Sequence, residues 1–455
     1  MIRTNPHVLP GRRRYTIVAL LLGACLAGAA AAAAAATTHA AASKQTLVVE
    51  DDAYGNAAYV TMYNKIGALF QQTHPNVKVV VKSQSYDQEA KTGILELTSG
   101  SVPSVFQVNQ GYTSMGQYVK DNLLTPLDSY AAKNHWSKLQ SPALLSVDGR
   151  QTKTQLGTGN LWGVSTEATW VGVMYNKQLL AKIGQSVPTT WAAYLNDLQL
   201  AKAAGITPIA FGDQGGDANL DEFWWYILAA DQMSSLTILR NLVDGVGNGS
   251  WNTPTDLQAV TLFASWAKDG YFPSNFTGLD IPQAEGLFTG GKALFYLNGN
   301  WDTPNLKKPM GANLGMFPLP SQTSAHGPVG IATGGQAWAI PAKGPNHALA
   351  AQFLTFMISP AAQKLVLKYG GQIPASTLPN ETSLAPKGSI MADEIAGFEK
   401  TSKTSMPYPD WATADMATDI MSLWSEVLGN QITPSQYVSQ IQADYAKGRA
   451  TIEGH

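Results

Sequence analysis

The chain has 455 residues and 45% hydrophobic content, too long for one ordinary core and suited to two lobes of about 150–200 residues each. Charged residues make up only 14%, with a formal charge of -2, so the basic face of a nucleic-acid binder is excluded. One cysteine excludes a disulfide framework, and a surface drawn from Gln, Asn, Ser and Thr suits an exported protein that handles an uncharged polar ligand.

Residues 1–45 read as a signal peptide and tether. Arg12-Arg13-Arg14 precedes the apolar, alanine-rich run 15–36, and Ala40-Ala41-Ala42 offers a small-residue cleavage site. Leu22-Gly23-Ala24-Cys25 resembles a bacterial lipobox, which makes Cys25 a candidate lipid anchor and residues 27–43 its flexible tether. Two locations follow: a lipoprotein on the cell surface, or a periplasmic or secreted protein cleaved near Ala42. The strongly hydrophobic part is short for a permanent membrane span.

Residues 45–50 (QTLVVE) form the first expected strand. A helix over 58–72 carries Tyr59, Met62, Tyr63, Ile66, Leu69 and Phe70 at helical spacing, and His74-Pro75 ends it before a strand at 77–81. No GxGxxG follows the first strand, so this β-α-β unit is not a dinucleotide site. A helix at 86–99, a turn and strand at 102–109 and a helix at 112–122 come next, whereas 133–157 resists assignment. Residues 171–177 read as a strand. Thr190 is placed to cap a helix from Trp191 to Ala203, and 204–210 reads as turn plus strand. Helices are expected at 221–236, 254–266 and 281–288. Thr289-Gly290-Gly291-Lys292 breaks the last before an apolar strand at 293–297, which runs out into Asn298-Gly299-Asn300-Trp301. Residues 329–340 precede an amphipathic helix at 346–358. The segment 391–449 is mostly helical around a proline-stiffened loop, Pro407-Tyr408-Pro409-Asp410-Trp411.

Three stretches carry a family resemblance. EGLFTGGKALFYLNGNW, ending at Trp301, resembles the FxxGKAAMxxxGxW signature of the family 1 extracellular solute-binding proteins, the sugar receptors of ABC importers. PTTWAAYLNDLQLAKAAGITPIA (188–210) and the block from Gly334 through Ser359-Pro360 are typical of the same family. Ser104 departs from its PDVF strand by replacing the aspartate. The resemblance covers about 46–450. It implies a type II periplasmic-binding-protein fold: two α/β lobes with a ligand cleft between them, lobe 1 at 46–165 plus 327–372 and lobe 2 at 166–326 plus 373–450. It also implies a monomer that closes on a neutral di- or oligosaccharide and delivers it to membrane permease subunits.

A sugar site needs flat rings for the apolar pyranose face and amides or carboxylates for paired hydroxyls. Trp301 is the leading ring. Of the neighbours Trp224 and Trp225, one is expected to pack and one to face the cleft. Trp170 precedes the strand at 171–177, and Trp411 with Asp410 makes a candidate clamp. Polar candidates are Asn109 and Gln110 at a strand end, Asp52 after the first strand, Glu167 near the expected crossing, and Asn300 and Asp302 beside Trp301, where either could serve only as a cap. Gly334-Gly335 permits close approach of a ligand or is simply a tight turn.

Catalysis weighs less. There is no GxSxG, HExxH or P-loop, and the seven histidines are scattered, so neither metal nor cofactor is expected. A secreted carbohydrate-active enzyme using two of Glu167, Asp302 and Asp410 is one alternative. A sugar-sensing or adhesion module is another.

Overall fold

A computed structural model describes residues 44–454 apart from 54, 215–218, 324–325 and 377–384. Cys25 and Ala42 lie outside the described residues. Among the described residues no helix is long and apolar enough to cross a membrane.

The first sheet grows from the β-α-β unit. Gln45–Asp51 pairs in parallel with Val77–Ser83, Val48 opposite Val80, and with Val105–Val108, Val49 opposite Val105. The connecting helix Ala57–Thr73 is capped by Asn56, whose side chain accepts from the Ala58 and Tyr59 N–H groups. It buries Tyr59, Met62, Tyr63, Ile66 and Phe70, the apolar stripe visible in the sequence. Ser104 is fully buried, and its hydroxyl accepts from the Val48 N–H at 3.3 Å. Ala337–Ala339 and then Gly163–Val164 extend the sheet in antiparallel pairing.

The second sheet is built on Glu167–Asn176, a ten-residue strand buried along its whole length. Gly330–Gly334 pairs with it on one side and Ala293–Gly299 on the other, both antiparallel, and Thr207–Ile209 then joins Ala293–Gly299 in parallel. Thr190 caps the helix Trp191–Ala203 by accepting from the Ala193 N–H at 3.2 Å. Gly205 takes φ +69° in the turn that follows.

The chain passes between the sheets at three adjacent places. It leaves the first sheet at Val164 and enters the second at Glu167; it returns between Gly334 and Ala337; it crosses again between Gly370 and Ile373. Hydrogen bonds tie these crossings together: Gly335 N–H to Glu167 O at 2.8 Å, Ser165 Oγ to Gly335 O at 2.5 Å and Ala375 N–H to Thr166 O at 3.1 Å.

Three local expectations differ. The apolar run 329–340 splits into two strands in different sheets, because Gly335 turns the chain where a Cβ would lie 2.4 Å from Glu167 Oε1. The helix expected at 112–122 spans only Met115–Lys120. The unassigned stretch 133–157 contains the helix Pro142–Gly149 and the strand Arg150–Gln151, which pairs with Asn160–Leu161. These elements are too short for their period to stand out.

Candidate functional site

The carboxyl ends of the first sheet's parallel strands, the first two crossings and one face of the second core converge on a cavity of about 460 Å³. From the first sheet come Asp52, Asn109 and Gln110, with Tyr86 at the start of the helix Tyr86–Thr98. Glu167, Gly334 and Gly335 come from the crossings. Trp301, Tyr408, Asp410 and Trp411 come from the other side, with Glu222 and Phe223 on the helix Asn219–Gln232.

Four rings form a continuous wall. Phe223 meets Trp301 edge-on at 6.1 Å, Trp301 lies 6.3 Å from Tyr408, and Tyr408 lies 5.1 Å from Trp411. Trp301 is half-buried and packs against both main hydrophobic cores. Asn56 donates to its carbonyl at 3.1 Å, fixing the ring's backbone to the first helix. Trp411 is set by a short helical turn in which its N–H bonds Tyr408 O at 3.2 Å. Its carbonyl accepts from the Tyr112 N–H at 3.1 Å, and Gly111, at φ +80°, leaves room for its ring and backbone.

The polar side is partly committed within the protein. Gln110 donates to Gly335 O at 2.9 Å, Asn109 to Tyr86 Oη at 3.0 Å and Gln107 to Tyr63 Oη at 3.2 Å. Among the described residues four carboxyl groups line the cavity, and no lysine, arginine or histidine does. Burial pushes Glu167 up to about 7, against hydrogen bonds from Thr166 and Tyr63. Asp52 is raised by burial and then by the charges of Glu89, Asp51 and Glu167. Glu222 is raised by burial and by Asp410, and burial likewise raises Asp410.

The cavity gathers Trp301, Trp411, Asn109, Gln110, Glu167 and Asp52 with Gly334, Gly335 and Asp410. Five other candidates lie elsewhere. Trp224 and Trp225 are both buried, although neighbours on a helix point in different directions. Their helix is enclosed: Trp224 packs edge-on to Trp266 at 5.0 Å, and Trp225 meets Trp251 at 5.4 Å and Tyr437 at 5.6 Å. Trp170 is a core ring held between Gly172 and Gly397. Asn300 is fully buried and its amide is used internally: it accepts from the Trp170 N–H at 2.9 Å and donates to Ala168 O and Gln372 Oε1, each at 3.2 Å. Asp302 accepts from Asn298 at 3.2 Å and Asn305 at 3.3 Å and does not line the cavity.

Sequence reasoning missed Glu222, Phe223, Tyr408, Tyr86, Asn56 and Gln107. Tyr408 had a readable signal: it stands three residues before Trp411 in a proline-stiffened turn, a spacing that stacks side chains on one side. Glu222 and Phe223 were overshadowed by the adjacent tryptophans.

Residues 31–364 match the family described as bacterial extracellular solute-binding protein. The chain is 24% identical over 294 residues to a diacetylchitobiose binding protein, NgcE, of Streptomyces coelicolor, covering 60% of this chain and 59% of that one, so the match spans less than two thirds of that relative. It is 21% identical over 309 residues to a multiple sugar-binding protein of Streptococcus mutans, covering 66% and 68%. A solved structure titled chitin oligosaccharide binding protein superimposes with a TM-score of 0.74 at 20% identity, covering 89% of this chain and all of that one.

Proposed function

The chain belongs to the bacterial extracellular solute-binding protein family, and on that premise we propose that it is the carbohydrate receptor of an ABC importer. Its fold is the type II periplasmic-binding-protein fold, and the family places it outside the cytoplasm. In this reading the two sheets are the cores of two lobes, and the three tied crossings are the hinge. The lobes divide near 165 and 372, and the return boundary moves from the expected 327 to Gly335-Gln336, because Gly330–Gly334 pairs with Glu167–Asn176 in the second sheet.

The observation that carries the reading is the pairing of a ring wall with strand-end amides and carboxyls around one cavity of small-ligand size. A pyranose presents an apolar face to Trp301 and Tyr408 and hydroxyls to Asn109, Gln110 and the carboxyl groups. Contacts to both lobes favour the closed arrangement, and ligand binding shifts the balance towards it. The closed form is then what permease subunits recognise. The relatives named for diacetylchitobiose and chitin oligosaccharide support a ligand of two or more sugar units. Delivery to a permease needs the sugar unchanged, so binding is the whole task in this reading. An extracytoplasmic protein needs a leader, and Cys25 is the proposed anchor.

Calorimetry of the purified protein against a panel of di- and oligosaccharides, with recovery of the sugar after overnight incubation, tests this. A bound sugar recovered intact supports the receptor. A sugar consumed points to the enzyme, and a panel with no binder removes the carbohydrate reading.

A further inference from the structure

Outside its ring wall, the cavity has an unusual charge balance. Asp52, Glu167, Glu222 and Asp410 line it, with no lysine, arginine or histidine among the described lining residues. Glu167 is engaged by the Thr166 hydroxyl. Asp52 and Asp410 are each more than nine-tenths buried, at 8% and 7% exposure, and each keeps one carboxylate oxygen with no hydrogen-bond partner among the described residues. Glu222 is 3% exposed.

Buried carboxylates with no counter-charge are costly to ionise. Hydroxyls of an uncharged sugar can donate to them but leave their charge uncompensated. A protonated amine does both, through charge-assisted hydrogen bonds that are stronger than neutral ones. The ring wall is suited to the same guest, since Trp301, Tyr408 and Trp411 can place their negative faces against a cation as well as against a pyranose. Asp52 follows the first sheet, whereas Glu222 and Asp410 lie with the second core, so carboxyl groups line the cavity from both sides.

We propose that the sugar bound here carries a protonated amine, an amino-sugar unit seated between Asp52, Glu222 and Asp410 beside the ring wall. This rests on the carbohydrate reading and narrows it, departing from the uncharged ligand that composition suggested. Burial raises these carboxyl groups, so a bound amine has to draw them into their ionised forms.

The experiment is calorimetry of the purified protein at pH 7 with matched sugars. The set comprises glucose and galactose and their β-1,4-linked disaccharides, each with hydroxyl, acetamide or amine at C2, plus spermidine as an amine without a sugar ring. The expected result is an amine form bound at least about tenfold tighter than its hydroxyl and acetamide partners. That margin should shrink in D410N and in D52N whose melting transitions show them folded. A hydroxyl or acetamide form bound as tightly as its amine partner overturns the amine inference alone and leaves the carbohydrate reading in place. Spermidine bound tighter than every sugar keeps the cation site and overturns the sugar. Absence of binding across the whole set overturns both.

Discussion

The indole of Trp301 folds back over Gly299 so closely that a Cβ on Gly299 would lie 1.8 Å from the ring. Gly299 has φ -83°, which alanine adopts freely, so its role is space and not backbone freedom. Replacing it with alanine must push the ring out of place. We expect G299A to fold and to bind sugar at least about tenfold more weakly in calorimetry. Unchanged affinity would mean that the ring's position does not matter to the ligand.

Trp301 and Trp224 separate binding from stability. W301A removes a cleft ring and should cost about 2 kcal/mol of binding, near thirtyfold in Kd. W224A empties a site enclosed by Phe263 and Trp266 and should cost about 3–5 kcal/mol of folding stability. Denaturant unfolding and calorimetry on both variants check this. Equal effects of the two on binding by fully folded protein would contradict the assignment of Trp224 to the core.

The sequence made the architecture legible where periodicity and turn chemistry agreed. The stripe Tyr59-Met62-Tyr63-Ile66, the Thr190 cap and the strand leading to Trp301 all describe local structure that burial then reinforces. The site was only half legible. Trp301, Trp411 and Asp410 stand at breaks in regular structure, where a side chain reaches a cleft. Trp170, Trp224 and Trp225 could not be placed, because whether a helix or strand is covered on one side or all round depends on segments distant in sequence. Trp225, for example, is covered by Trp251 and Tyr437. Asn300 was misread for a related reason: its partner Gln372 is 72 residues away.

Asn300 supplies the third prediction. Its buried amide joins the strand after Glu167 to the crossing at Gln372, donating to Gln372 Oε1, while Gln372 donates back to the Asn300 carbonyl at 3.1 Å. N300L leaves the Trp170 N–H and Ala168 O without that partner, at about 1–3 kcal/mol for each group left unsatisfied. The expected outcome is a clear fall in melting temperature. A melting temperature equal to wild type would show that the amide is dispensable.

Stability should also depend on pH with a definite sign. Burial raises Glu167 to about 7 and raises Asp410, against about 4 for an unfolded carboxyl group. The folded state therefore holds more protons between about pH 4 and 7. The stabilisation from these groups is fully present below about pH 4 and is lost as pH rises through about 7. Ligand-free protein should melt lower at pH 8 than at pH 5, and E167Q should lose part of that difference. A higher melting temperature at pH 8 would contradict the burial of these carboxyl groups without counter-charge.

The most direct measurement is the crystal structure of the protein grown with its tightest-binding sugar. The account predicts a pyranose ring lying on the Trp301 indole within the cavity, with hydroxyl or amine groups on the Asp52 side and the Asp410 side together. Sugar density at another place, or a cavity left empty at saturating sugar, would contradict it.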